Sequence, residues 1–117
     1  PDASARRLRE ALSEPGRPGP AVIVSDTFGR PFREGLVDVA LGCAGLAPID
    51  DRRGSADLAG RTLQVTAMAP ADQLAAAAGL LMVKDAGVPA VWIPGFAAPG
   101  EGGARPLLRA RAQDLFR

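Results

Sequence analysis

Residues 15–20, PGRPGP, cut the chain into separate elements before any periodic pattern can be followed across it. Proline has no amide proton to donate and fixes its own φ, so a run of prolines and glycines passes neither helix nor strand. On the N-terminal side, PDASARRLREALSE places Ala5, Leu8, Ala11 and Leu12 on one helical face, with Asp2 or Ser4 as N-cap. On the other side, Ala21 to Val24 is a short continuous apolar run, which reads as a strand buried on both faces.

The remainder alternates in the same way. Gly29 to Gly35 reads as a loop and LVDVALGCAG as a second β segment closed by glycines. LAPIDDRRGSADLAGR is polar and turn-rich, and TLQVTAM alternates Leu63, Val65 and Ala67 as a strand does. A helix follows, with Pro70 in its first turn and Leu74, Ala77, Leu81 and Lys84 along it, ending at Gly87. VPAVWIPGF reads as a third apolar strand with Trp92 in the core, AAPGEGGA as a flexible stretch, and RPLLRARAQDLFR as a terminal helix or helical turn. Alternating strands and helices in 117 residues predict one α+β unit, a mixed sheet with packed helices, spanning residues 1–117.

Composition excludes several chemistries. With no histidine and one cysteine, Cys43, the chain builds neither an internal disulfide nor a Cys/His zinc site, and neither Ser-His-Asp nor Cys-His catalysis. Catalysis must draw on carboxylates, hydroxyls, Lys, Arg or a bound metal. A net charge of +1 and 4% aromatic residues argue against nucleic acid as a partner. No apolar stretch approaches the roughly 20 residues of a membrane span, and the charged N-terminus is no signal peptide, which points to a cytoplasmic protein. Cys43, in an apolar segment with no histidine to activate it, reads as a small buried residue.

The chemistry concentrates in VIVSDTFGRPFREG, Val22 to Gly35. Asp26 and Thr27 at the end of the strand are suitable oxygen ligands for a hard cation such as Mg²⁺ or Mn²⁺; equally, Asp26 can close an Asx-turn with Thr27 capping the bend. Arg30 and Arg33 suit phosphate or carboxylate through bidentate hydrogen bonds, or stand as solvated side chains. In DDRRGSAD, Asp50, Asp51 and Asp57 either add cation ligands or compensate Arg52 and Arg53 in a surface loop. Lys84 and Asp85 fall in the last turn of the long helix, where the dipole favours a cation.

Taken together, residues 22–95 resemble the coenzyme F-420-0:γ-glutamyl ligase family. The resemblance rests on SDTFGRPFREG, VALGCAG, DDRRG, DLAGRTLQVT, ADQLAAAAGLLMVKDAG and VPAVWIPG in that order, and the opening helix and LLRARAQDLFR extend it over nearly the whole chain. It implies the C-terminal half of a longer, intertwined, homodimeric ligase domain, with the N-terminal half missing. The implied activity is GTP- and divalent-metal-dependent addition of L-glutamate to the deazaflavin coenzyme precursor, through an acyl phosphate on the precursor's terminal carboxylate. Asp26 and Thr27 match the family's metal-binding Asp-Thr pair, and the stretch of Met82, Val83, Lys84, Asp85, Ala86 and Gly87 matches its nucleotide-contacting segment. Val83 and Lys84 stand where the family usually has Gly and Gln, and Gln73, Pro70 and Pro94 replace its Glu, Val and Arg. The apolar segments Ala21 to Val24, Leu36 to Cys43 and Ala90 to Ile93 are the expected surfaces for the missing half or a second copy.

Overall fold

In the computed structural model, which describes residues 1–114, α1 (Asp2–Ala11) leads into an antiparallel hairpin of β1 (Val22–Gly29) and β2 (Leu36–Ala44). A two-residue ribbon of β3 (Asp50–Asp51) and β4 (Ala67–Met68) and then α2 (Pro70–Gly79) follow. Two short 3-10 turns at Arg105–Leu107 and Arg111–Gln113 complete the described chain. The architecture is α+β, but its two sheets are both antiparallel and two-stranded, not one mixed sheet.

Both helices pack chiefly on β2. The hairpin pairs Val22 with Ala44 and Gly29 with Leu36, and its register shifts between Val24 and Ser25, where Gly42 and Ala40 face the two consecutive β1 residues. Leu41 is therefore the extra residue of a β-bulge. A bulge reverses the alternation of faces beyond it, which puts Ala40 and Cys43, three residues apart, in one core with Leu46, Ala71 and Ala104. Ile23, Leu74 and Leu107 pack around that cluster. Beside the bulge the Ala40 N–H donates to Asp72 Oδ1 of α2 at 2.9 Å, tying helix to strand.

The core is made almost wholly of alanines, and close approach is how it holds. Gly42 lies against Pro1 and the Asp2 amide, where any side chain would collide with backbone. Asp2 does not cap its own helix. Its Oδ1 accepts the Cys43 N–H at 3.0 Å and the Ala104 N–H at 2.9 Å, so one oxygen joins α1, the end of β2 and the C-terminal loop. Gly103 passes so close to Asp2 Oδ2 that a Cβ there would overlap it. At the other end of α1, Ser13 Oγ donates to the Arg9 carbonyl and accepts the Gly19 N–H, both at 2.8 Å, fixing the turn into the Pro-Gly run.

Several expectations from the sequence are corrected. β1 is not a doubly buried strand ending at Val24: it runs to Gly29, half-buried to Ser25 and exposed from Asp26, because the helices cover β2 and only the first half of β1. α2 ends at Gly79 rather than Gly87. There the chain meets the Asp38 carboxyl too closely for a side chain, and the Leu80 and Leu81 amides tighten onto the Ala77 and Ala78 carbonyls. Of TLQVTAM only Ala67–Met68 is strand, with Thr62 bridged to Ala56. VPAVWIPGF forms no strand, and Trp92 is 71% exposed instead of core. Proline at 89 and 94 removes two donors from that run, and it pairs with no described strand. The AAPGEGGA stretch is tied down: the Ala47 N–H donates to the Ala98 carbonyl at 2.8 Å, and Gly100 packs on Ala47. Of the terminal helix or helical turn expected over RPLLRARAQDLFR, the structure shows helical turns, the two 3-10 turns as far as Asp114, with Leu115 to Arg117 outside the described residues. No helix among the described residues is long and apolar enough to cross a membrane.

Candidate functional site

The hairpin projects its distal half, Asp26 to Gly29 with Leu36, beyond the helices, and the residues singled out in the sequence stand there. Asp26 Oδ1 accepts the Thr27 N–H at 2.7 Å and lies 3.4 Å from the Thr27 hydroxyl. The bond reaches only the next residue, within a strand, so it is not the Asx-turn that the sequence left open. Oδ2 takes no partner among the described residues and faces solvent. The pair therefore presents a free carboxylate oxygen beside a hydroxyl on rigid, ladder-paired backbone.

At the tip, Arg30 turns back: its Nη2 donates to the Glu34 carbonyl at 2.9 Å, while its Nε is buried without a partner. Phe32 sits in the left-handed region at φ 59°, which closes the turn and leaves Arg33 exposed. Arg30 thus braces the loop and Arg33 extends from it.

Cross-strand from Thr27 is Asp38. Gly79, the last residue of α2, lies against the Asp38 carboxyl. The stretch Met82 to Gly87 leaves from this point, three residues further on and within about 10 Å of chain. It is not the last turn of a helix. It is a turn in which the Ala86 N–H donates to the Val83 carbonyl at 3.0 Å, with Lys84 and Asp85 exposed and Gly87 at φ 64°. The end of α2 thus sits beside the residue opposite Thr27, and no hydrogen bond among the described residues joins the two separately chosen segments. Asp38 is the residue that sequence reasoning missed. Its signal was a lone carboxylate inside the apolar run LVDVALG.

The other candidates resolve simply. Asp50 pairs with Arg52 at 2.6 Å and Asp51 with Arg53, whose Nε lies 2.8 Å from Asp51 Oδ1. The Arg53 guanidinium and amide hold the Asp51 carboxyl down at about 2. Asp57 Oδ1 accepts the Ala59 and Arg61 amides, both at 2.8 Å, and so closes a turn. DDRRGSAD is self-compensating, and no group of three acidic or thiol side chains among the described residues is placed to enclose a metal. Cys43 is fully buried, and burial pushes its thiol up, as an inert core residue requires.

What remains is a small α+β unit that offers oxygen donors and guanidinium groups on an exposed hairpin while leaving much apolar surface bare. Its family is clear: residues 1–95 match the model described as F420-0:Gamma-glutamyl ligase, and the chain belongs to that family. It is similar over its whole length to the coenzyme F420:L-glutamate ligases of Methanothermobacter thermautotrophicus, 54% identical and covering 48% of that protein, and of Methanopyrus kandleri, 46% identical and covering 49%. The corresponding ligase of Methanocaldococcus jannaschii is 42% identical, again with 48% covered. The chain spans about half the length of the curated relatives it matches.

Proposed function

We propose that this chain is the C-terminal half of a ligase that joins L-glutamate to the deazaflavin coenzyme F420 precursor, using GTP and a divalent cation. Family membership and the names of the relatives support the ligation itself. The observation that carries the GTP and metal reading is the Asp26-Thr27 pair, a free carboxylate oxygen and an adjacent hydroxyl held on strand backbone. These are hard oxygen donors of the kind Mg²⁺ or Mn²⁺ prefers, and Asp26 and Thr27 would hold such a cation through them. When bound, such a cation neutralises charge that develops on the phosphoryl oxygens.

The chemistry has to make an amide from a carboxylate and an amine. Transfer of the GTP γ-phosphoryl group to the precursor's carboxylate gives an acyl phosphate and GDP. The glutamate amine then attacks the acyl carbon, the C–N bond forms, and phosphate leaves. No histidine is required at either step, in keeping with a chain that has none. Arg33 and the turn at Met82–Gly87, with Lys84 exposed, supply the cationic side chains and backbone amides for nucleotide phosphates.

Bare apolar side chains support a larger assembly. Leu58, Val65, Leu80, Trp92 and Leu108 are all more than two-thirds exposed, a pattern that fits burial against the other half of the domain or a second copy.

The test uses the full-length protein. Asp26→Asn keeps the shape and removes the charge that attracts a hard cation, so the Mn²⁺ concentration for half-maximal rate should rise steeply and turnover should fall. Unchanged metal dependence with a near-normal rate would make the pair architectural and remove the metal reading.

A further inference from the structure

Between the C-terminal end of α1 and the loop before Ala104 lies an open cleft of about 250 Å³. Arg6, Arg9 and Glu10 line one wall at helical spacing, so rigid backbone presents all three together. Glu101 and the Gly102–Gly103 backbone form the other wall. No ion pair among the described residues joins Arg6 or Arg9 to Glu10 or Glu101, so two guanidinium groups and two carboxylates line this cleft without pairing with one another. Arg9 lies across Gly45, and its Nε is buried with no hydrogen-bond partner. That Nε is closed off against Gly45, so a ligand in the cleft meets the terminal guanidinium nitrogens instead.

We infer that this cleft binds the amino-acid co-substrate, a small dicarboxylic α-amino acid of which L-glutamate is the example, on the ligase reading above. Two guanidinium groups match its two carboxylates, and Glu10 or Glu101 matches its ammonium. A nucleotide fits worse: the cleft has no aromatic or large apolar wall for a base, and two carboxylates would repel a phosphate. Its position suits the role. Ala44 at the cleft pairs with Val22, whereas Asp26 pairs with Val39, so the two sites lie about 15 Å apart along the hairpin. A phosphoryl group and an amino acid in line fill that span.

The test measures L-glutamate binding to the full-length protein by calorimetry, and KM for L-glutamate under saturating GTP and coenzyme precursor. Arg6→Gln, at an exposed position that tolerates change, and Arg9→Gln should each weaken binding and raise that KM about tenfold or more, with KM for GTP within about twofold. Glu101→Gln combined with Glu10→Gln should weaken L-glutamate but not glutarate, which lacks the amine. An active enzyme whose KM for L-glutamate is unmoved in both arginine variants overturns the site while leaving the ligase reading intact. A protein that binds L-glutamate through these arginines yet makes no amide product overturns the ligase reading instead. Absence of both binding and any KM change removes the inference.

Discussion

Removing the Asp2 carboxylate should unfasten three parts of the molecule at once. One oxygen of Asp2 accepts the Cys43 and Ala104 amides at 3.0 and 2.9 Å, across 41 and 102 residues of sequence. In Asp2→Ala both N–H groups lose a charged acceptor in a partly buried setting. A hydrogen bond to a charged group contributes about 1.5–3 kcal/mol when well buried, and partial exposure puts these near the low end, so the pair is worth about 3 kcal/mol. Asp2→Asn keeps an acceptor at the same place and should cost about 1 kcal/mol. The backbone donors of Ala104 and Cys43 also hold the Asp2 pKa below its ordinary 3.8. A lowered carboxyl pKa stabilises the fold fully above the unfolded value and loses that contribution as pH falls through the folded value. The acid side of the stability profile should therefore flatten in Asp2→Asn below about pH 4. Urea denaturation between pH 2 and 7 reads both effects, and amide hydrogen exchange at Cys43 and Ala104 reads the local opening. A cost under about 1 kcal/mol for Asp2→Ala, with protection at both amides unchanged, would refute the reasoning.

Asp72→Ala removes the acceptor of the Ala40 N–H beside the β-bulge and should cost about 1–2 kcal/mol, measured by denaturation, with faster exchange at Ala40. Asp72→Asn should recover much of that. The isolated 117-residue chain, which covers only about half of its relatives' length, should show negligible ligation by mass spectrometry, and full activity from it alone would contradict the half-domain reading. Its exposed apolar side chains should drive association at micromolar concentration, and a clean monomer by light scattering would count against that.

The elements legible in the sequence were those whose stabilising contacts lie inside the chain. α1 announced itself because Ala5, its buried residue, sits on the predicted face, and β2 because an apolar run ending in glycines needs only β1 beside it. Failures fall where partners are not supplied. VPAVWIPGF has strand-forming residues but two prolines and no strand partner among the described residues, and Trp92 and Ile93 remain exposed. The helical period that carried α2 on to Lys84 relied on Leu81, which has no surface to pack on and is 60% exposed. The Leu41 bulge left no trace in the pattern, because a reversal of faces shows only once register is known. At the candidate site, Asp26 and Thr27 were found by residue type and family likeness. Their exposure, the missing Asx-turn and the presence of Asp38 across the ladder came only from the fold.

Ligation by the full-length protein tests the central claim most directly. Incubated with the coenzyme precursor, L-glutamate, GTP and Mn²⁺, it should yield a product heavier by one or more glutamyl residues, with GDP and phosphate released in step. Omission of GTP or chelation of the metal should abolish that product. Glutamylation that proceeds equally well without either, or no glutamylation under any of these conditions, would contradict the account.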